Sequence, residues 1–471
     1  MTTFRRRRLL EAGGALASLC VGLRAQPAAA ASPRSPLLAD PRGVLDLREG
    51  FSYRILTRYG EPMSDGYRTP GRPDAMGVFP GPTPGSLVLM RNHEIPGVRE
   101  WGPYRDGQAA PPEAYDPEAY GGVTRLVLDA RSLELQRSNL VLTGTHWNCA
   151  GGFSPWGWLS CEETFDPRHG YVFLCPHTAE RVSPPQRISA YGHFRHEAAC
   201  VDPKTHIAYL TEDREDSSLY RHVPRDPQKP FEGALQALAI AGRPRFDTNE
   251  MKPGEALPVV WVDVPRPDSA RDDVRLQAQA NGAARFVRGE GLCLYDGELY
   301  VCATAGGPIG RGQIFQLSHR DPAHLTLLAQ SEDASVLDMP DNVTVSPHGH
   351  VYVAEDGLSG NYLRHITASG GVVDLARCAI STTEFAGPCF APDGRTMFVN
   401  LQGDGLTLAI RGPFDAIAKD AERSAAGART PPASQGYLGV GAGMVVLALA
   451  ALARRRGSVA TEDGGVATKD G

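Results

Sequence analysis

Short apolar runs recur along this chain, each reading as a β-strand and each closing on polar groups. Five share one pattern: residues 87–94 (LVLMRNHE), 158–163 (WLSCEE), 208–213 (AYLTED), 299–304 (LYVCAT) and 351–356 (VYVAED). Four of the five end in an acidic pair or in a carboxylate beside a polar residue; only the run at 299–304 lacks the acid. A sixth run, 396–402 (TMFVNLQ), ends in amides. The successive ends lie 69, 50, 91, 52 and 46 residues apart, and residues 258–264 (PVVWVDV) fall inside the long interval as the expected missing strand. A period near 50 with several short strands per unit predicts an all-β fold, a β-propeller of six blades over roughly residues 45–415. Turn residues agree, since Asp202-Pro203-Lys204-Thr205, Asp296-Gly297, Ser346-Pro347-His348-Gly349 and Ala391-Pro392-Asp393-Gly394 each stand just before a repeated strand.

If every run is the same strand of a repeated unit, the run ends converge on one face. That places Glu94, Glu162, Glu163, Glu212, Asp213, Glu355 and Asp356 together. Carboxylates crowded this closely raise one another's pKa unless cations neutralise them, so the pattern predicts a site for several metal ions. Side chains alternate along a strand, so of the adjacent pair Glu162 and Glu163 one is expected to face away.

Composition adds little that conflicts. Gly 52 and Pro 38 make about a fifth of the 471 residues, turn-rich but short of disorder. The propeller-sized body exceeds the usual single core, a limit that blades packing only on their neighbours escape. The net charge of −6, about −10 without the basic leader, argues against a nucleic-acid partner.

The two ends carry a different kind of pattern. Arg5, Arg6, Arg7 and Arg8 precede Leu9-Leu10, an Ala/Gly-rich apolar stretch and Ala28-Ala29-Ala30. Residues 1–31 therefore read as an export signal, favoured as twin-arginine type with Glu11 in place of the usual basic residue, the alternative being an ordinary secretory leader. A propeller domain is expected over 40–415 and a Pro/Ala/Ser-rich linker over 425–436. The segment 437–456 follows, seventeen apolar residues at 437–453 closed by Arg454-Arg455-Arg456, then a polar tail at 457–471. As a helix the apolar part would span about 25 Å, the lower edge of what crosses a bilayer, so it reads either as an anchor or as a sorting signal. The expected location is periplasmic or at the cell surface, and the expected state a monomer.

Nine cysteines occur, Cys20 in the leader and Cys149, Cys161, Cys175, Cys200, Cys293, Cys302, Cys378 and Cys389 in the body. Exported cysteines can pair, yet most of these lie in apolar runs as small buried hydrophobes, and no spacing suits a zinc ribbon. Cys149 and Cys161 stand apart because they flank the acidic cluster. A thiolate there favours a transition metal such as iron, while carboxylates alone favour calcium or magnesium.

The stretch Gly144-Thr145-His146-Trp147-Asn148-Cys149-Ala150-Gly151-Gly152, followed by Ser154-Pro155-Trp156-Gly157 and Ser160-Cys161-Glu162-Glu163, resembles the PhoX-type alkaline phosphatases. So do Arg91-Asn92-His93-Glu94, His196-Glu197-Ala198, Tyr209-Leu210-Thr211-Glu212-Asp213, Arg288-Gly289-Glu290-Gly291, Pro340-Asp341-Asn342 and Asn400-Leu401-Gln402, in the family's order. The resemblance implies a six-bladed propeller with a mixed iron–calcium cluster that hydrolyses small phosphomonoesters. It implies metal ligands among Glu94, Glu162 or Glu163, Glu197, Glu212 or Asp213, Glu290, Asp341, Glu355 and Asp356. One of Cys149 and Cys161 would be the iron-bound thiolate, with Cys161 favoured, and Arg288 with Glu290 would act on the phosphoryl group. Two departures stand out: only about 30 residues separate Glu163 from His193, where longer members carry an insertion, and Gln402-Gly403-Asp404-Gly405 replaces Gln-His-Pro-Gly.

Each of these residues also has a plainer reading. Arg288 can pair with Glu290 as a structural ion pair, Asp341-Asn342 can be a turn, and His93, His193 and His196 can serve as hydrogen-bonding partners. Trp147, Trp156 and Trp158 suit packing. The competing functions are a calcium-dependent lactonase or esterase, which needs one metal and neither thiolate nor phosphate fork, and a non-catalytic binding propeller.

Overall fold

The structure is a computed structural model that describes residues 36–319 and 323–428. The expected leader at 1–31, the segment 437–456, the tail 457–471 and most of the linker 425–436 lie outside the described residues. Among the described residues no helix is long and apolar enough to cross a membrane.

The second strand of each repeat is the apolar run seen in the sequence: Ser86–His93, Gly157–Glu162, Ala208–Glu212, Glu298–Ala303, Val351–Glu355 and Thr396–Leu401. Five of these six strands are buried at every position. Both of their faces pack against neighbouring sheets, which is why they read as near-continuous apolar runs rather than as alternating ones.

Each run pairs antiparallel with a preceding inner strand: Pro73–Pro80, Asn148–Ser154, His196–Val201, Gly289–Tyr295, Pro340–Val345 and Phe385–Phe390. The inner strands contact one another in a closed ring, each touching the next and the last touching the first. Two outer strands complete each sheet, giving six blades. The turn residues sit where the sequence puts them. Asp296-Gly297 joins Tyr295 to its partner Glu298 with both φ values positive (46° and 79°), the two-residue hairpin turn that suits strand twist.

The chain closes the ring with its beginning. Ser52–Arg58 pairs antiparallel with Leu406–Arg411, so the last blade combines three C-terminal strands with one N-terminal strand. Leu45–Leu47 adds a fifth strand to the blade before it. The expected missing strand takes another place: Ala256–Asp263 pairs on one side with Gly233–Ile240 and on the other with His324–Gln330. It ties the outer edges of two adjacent blades and sends no acid to the centre. The long interval is filled by this strand and by the connection carrying the short helix Val274–Ala280. The last described element is the helix Phe414–Ala428, so residues 425–428 are helical rather than linker.

Blades interlock by size. Trp158 is fully buried, and its ring lies where a Cβ on Gly77 of the neighbouring inner strand would sit, 2.6 Å away. Trp158 is thus a packing residue, and its Nε1 donates to Asn92 Oδ1 at 2.8 Å. At Gly387 φ is +61° and a Cβ would come within 2.5 Å of the Asp74 carbonyl oxygen, so only glycine lets the last inner strand approach the first.

Candidate metal centre

Every inner strand starts with the same irregularity. Its pairing with the second strand shifts register within the first few residues, between Pro73 and Met76, Asn148 and Gly151, His196 and Ala199, Gly289 and Leu292, Pro340 and Val343, and Ala386 and Cys389. Such a bulge re-aims side chains next to it. The second residues of the six inner strands are Asp74, Cys149, Glu197, Glu290, Asp341 and Ala386. Five of the six therefore bear a metal-ligating group at one equivalent point.

A second ring comes from the residue just after each second strand: Glu94, Glu163, Asp213, Thr304, Asp356 and Gln402. One backbone hydrogen bond recurs in all six blades and fixes this ring. The amides of these residues donate to the carbonyls of Arg72, Trp147, Arg195, Arg288, Met339 and Glu384, at 2.8–3.4 Å. Each acceptor is the residue immediately before an inner strand, and four of them (Arg72, Trp147, Arg288 and Met339) hold left-handed φ values of 44–55°. A non-glycine residue keeps that conformation only where its surroundings demand it.

The two rings meet in three overlapping triads whose ligand atoms all lie within 4.8 Å of one another: Asp74, Glu94 and Cys149; Cys149, Glu163 and Glu197; Glu197, Glu290 and Asp341. Cys149 and Glu197 each belong to two triads. Both carboxylate oxygens of Glu197 are buried, with no partner stronger than the Cys149 thiol. A buried carboxylate in this state takes up a proton or a cation.

Electrostatics point the same way. Burial, reinforced by Asp341, Glu163 and Asp74, pushes Glu197 well above the usual carboxylate range. Burial and neighbouring carboxylates do the same to Glu163, Glu290 and Asp341. Burial with Glu94 raises Asp74 to about 7, and burial raises Asp356 to about 6 against the pull of Arg288. The Cys149 thiol is pushed up by burial and then by Asp74 and Glu197. Arg72, Arg195 and Arg288 are the guanidiniums that pair with this cluster among the described residues. The carboxylates outnumber them, so the donor set fits several cations, as a thiol among acids also does.

The structure sorts the sequence-derived residues by strand alternation. Glu94, Glu163, Asp213 and Asp356 face the cluster, joined by Cys149, Glu197, Glu290 and Asp341. Glu162, Glu212 and Glu355 precede the ring positions by one residue and bond within their own blades and connections instead. Glu162 accepts from His169 Nδ1 at 2.6 Å and from the Gly170 amide at 2.9 Å. Glu212 accepts from the Tyr220 hydroxyl at 2.6 Å. Glu355 accepts from Arg364 Nε at 2.9 Å and from the Asp338 amide at 2.9 Å. Each already has protein partners and none belongs to a triad. Cys161, favoured from the sequence, is buried in an apolar core cluster with Leu159, Val172 and Phe194 and belongs to no triad, although burial and then Glu197 and Glu162 raise its thiol. All eight described cysteines are free thiols.

Arg288 grips Asp213 with two hydrogen bonds of 2.8 Å, Nε to Oδ1 and Nη2 to Oδ2, and Nη2 also reaches Glu290 Oε1 at 2.9 Å. His93, His193 and His196 bond to Gly71 and Thr124, to Ser269 and to Gly192, respectively, as hydrogen-bonding partners.

Asp74 and Glu384 carry no signal that the sequence pattern makes visible. Asp74 sits in Gly71-Arg72-Pro73-Asp74, which looks like a turn, yet it matches Pro340-Asp341 at the same point of another blade. Glu384, raised well above its usual range by burial and then by Asp356 and Asp341, follows Ser381-Thr382-Thr383 and reads as loop. Gln402 links the rings, its Nε2 donating to Asp74 Oδ2 at 2.6 Å and to Glu94 Oε2 at 2.7 Å.

The family profile "Alkaline phosphatase PhoX" matches residues 33–139 and 131–405. Among solved structures, PhoX of Pseudomonas fluorescens in complex with vanadate, a transition-state analogue, is similar at a TM-score of 0.63 and 18% identity, over 82% of this chain and 98% of that one. A gluconolactonase of Xanthomonas campestris gives a TM-score of 0.39 at 12% identity, over 81% of this chain and 98% of that one. No curated protein sequence matches the chain.

Proposed function

The chain belongs to the PhoX alkaline phosphatase family, and from that premise we propose that it hydrolyses phosphomonoesters at a multi-cation centre on the propeller axis. The holders are Asp74, Glu94, Cys149, Glu163, Glu197, Glu290 and Asp341, with Asp213 and Asp356 beside them. The observation that carries the proposal is Glu197, a buried carboxylate shared by two triads with no partner stronger than the Cys149 thiol. The thiol of Cys149 suits iron at its end of the cluster, and the all-carboxylate triad of Glu197, Glu290 and Asp341 suits calcium. When bound, such cations supply charge neutralisation and Lewis acidity toward phosphoryl oxygens.

The chain's own groups do the rest. Arg288 presents a planar fork that matches two phosphoryl oxygens, on a backbone held at a left-handed φ of 55°. Its fork is held by Asp213 and Glu290. Those two carboxylates keep it oriented, so little side-chain entropy is lost when phosphate replaces them. Gln402 holds Asp74 and Glu94 by neutral hydrogen bonds and adds no charge to the cluster. The basic leader pattern of residues 1–31 supports an activity exercised outside the cytoplasm.

The test is phosphate release from an aryl phosphate at alkaline pH by protein whose iron and calcium content has been measured on the same preparation. Activity on the monoester with little on a diester is expected. Metal-loaded protein that releases no phosphate refutes the proposal.

A further inference from the structure

The residue before each inner strand occupies one repeated position over the rings, filled by Arg72, Trp147, Arg195, Arg288, Met339 and Glu384 in turn. Arginine stands there three times, and the three differ in how fully they are engaged. Arg72 spends its fork on Glu94, donating from Nε to the backbone oxygen and from Nη2 to Oε2, both at 3.0 Å, and its guanidinium lies 5.7 Å from the Trp101 ring centre. Arg288 makes three contacts of 2.8–2.9 Å with Asp213 and Glu290. Arg195 has a single long contact, Nη1 to Glu163 Oε1 at 3.4 Å. Its Nε is buried and has no hydrogen-bond partner. Its side chain is also the most exposed of the three, at 40% against 28% for each of the others.

Arg195 and Arg288 belong to consecutive blades and flank Asp213, whose amide donates to the Arg195 carbonyl oxygen at 3.3 Å and whose carboxylate Arg288 grips, while the Arg195 guanidinium reaches Glu163. Glu163 in turn sits in the triad with Cys149 and Glu197. A guanidinium on the open side of a cluster ligand, with a buried N–H left bare, has donor capacity that the protein itself does not use. A buried N–H without an acceptor is costly, so a ligand that supplies one is favoured.

We propose that Arg195 is a second substrate-binding arginine, which with Arg288 forms a two-fork clamp on the oxygens of the phosphoryl group bound over the rings. This rests on the phosphatase reading above and extends it to a residue outside the sequence motifs. Two forks from adjacent blades can engage different oxygens of one tetrahedral dianion, which a single planar guanidinium cannot do.

The experiment uses metal-replete full-length protein and inorganic phosphate as the probe, with binding measured by calorimetry and by inhibition of aryl phosphate hydrolysis. Arg195→Ala is expected to weaken phosphate binding by roughly 10- to 100-fold, the usual range for losing a charge-assisted contact. Metal stoichiometry should equal that of the wild type. Arg195→Lys should recover part of the loss, and it serves as the second variant if the alanine protein folds poorly. The double variant with Arg288→Ala should lose less than the two single losses combined, as for groups that hold one ligand. Unchanged phosphate affinity in metal-replete Arg195→Ala, or lost metal with unchanged affinity in what remains loaded, overturns the assignment and makes Arg195 only a counter-ion to Glu163. A loaded wild-type protein that neither binds phosphate nor hydrolyses the ester overturns the phosphatase reading itself, and this inference with it.

Discussion

Two cysteines lie twelve residues apart, and only one of them is placed to hold a metal. Cys149 lies within 4.8 Å of four carboxylates through its two triads, whereas Cys161 sits in an apolar core cluster and belongs to none. Cys149→Ala is therefore expected to lower bound iron and activity together, with little change in the stability of the metal-free protein, because Cys149 belongs to none of the apolar core clusters. Cys161→Ala should keep metal content and cost about 1–2 kcal/mol from a small buried void. Measuring iron per chain beside a denaturant curve for both variants checks this, and the reverse pattern would refute it. At Glu197 the substitution to Gln keeps the shape and removes the charge. Unlike a surface change, it should strip cations from two triads at once, seen as a fall of more than one metal ion per chain. Arg288→Ala should keep the metals, since a cation is no ligand. It should cost on the order of 2–4 kcal/mol of transition-state binding, or roughly 30- to 1,000-fold in kcat/KM. Arg288→Ala with full metal content and normal kinetics would leave it a structural ion pair.

The strand is the scale at which the sequence is most and least informative. The second strands are legible because they are buried on both faces and end abruptly in acids, so the repeat by itself puts Glu94, Glu163, Asp213 and Asp356 on one face. Their neighbours Glu162, Glu212 and Glu355 come along with them. Alternation says that one of each pair turns away but not which, and only the register decides it. The inner strands hide the other half of the site. Their bulges break the two-residue period at the very point where Asp74, Glu197, Glu290 and Asp341 emerge. No periodicity survives there to be read, and Glu197, Glu290 and Asp341 are legible only through the family likeness. The closing strand Ser52–Arg58 carries an expectation of its own. It supplies the fourth strand of the last blade, and Tyr53 and Ile55 pack on the core cluster of Leu408 and Ile410. Removing residues up to Arg58 should expose that edge and cost at least about 3–5 kcal/mol, the range of a large core deletion. A truncated protein whose thermal unfolding matches the full chain would show that the ring does not depend on this closure.

At the scale of the whole molecule, the propeller axis is where twelve equivalent ring positions converge, and most of them carry acids that the metal-free protein must accommodate without their cations. In that state Asp74 is held at about 7 and Asp356 at about 6, against an ordinary 3.8. Between pH ~4 and ~7 the folded chain therefore binds more protons than the unfolded one, and its stability falls as pH rises through that window. Asp40, lowered to about 2, and Asp116, Asp129, Asp273 and Asp415, which are lowered too, work in the opposite sense, but their contribution is lost as pH falls below about 4, outside this window. The metal-free protein is thus expected to melt at a lower temperature near pH 7 than near pH 5, with Asp74→Asn reducing the slope. Cations replace the protons, so adding calcium and ferrous iron should release protons and raise the melting temperature most at the higher pH. Thermal melts at several pH values before and after exhaustive chelation, with a proton-release titration in weak buffer, measure both effects. A metal-free protein whose melting temperature is flat or rising over this range would mean that the central carboxylates are already balanced by the protein, and the case for a cation cluster would fall with it.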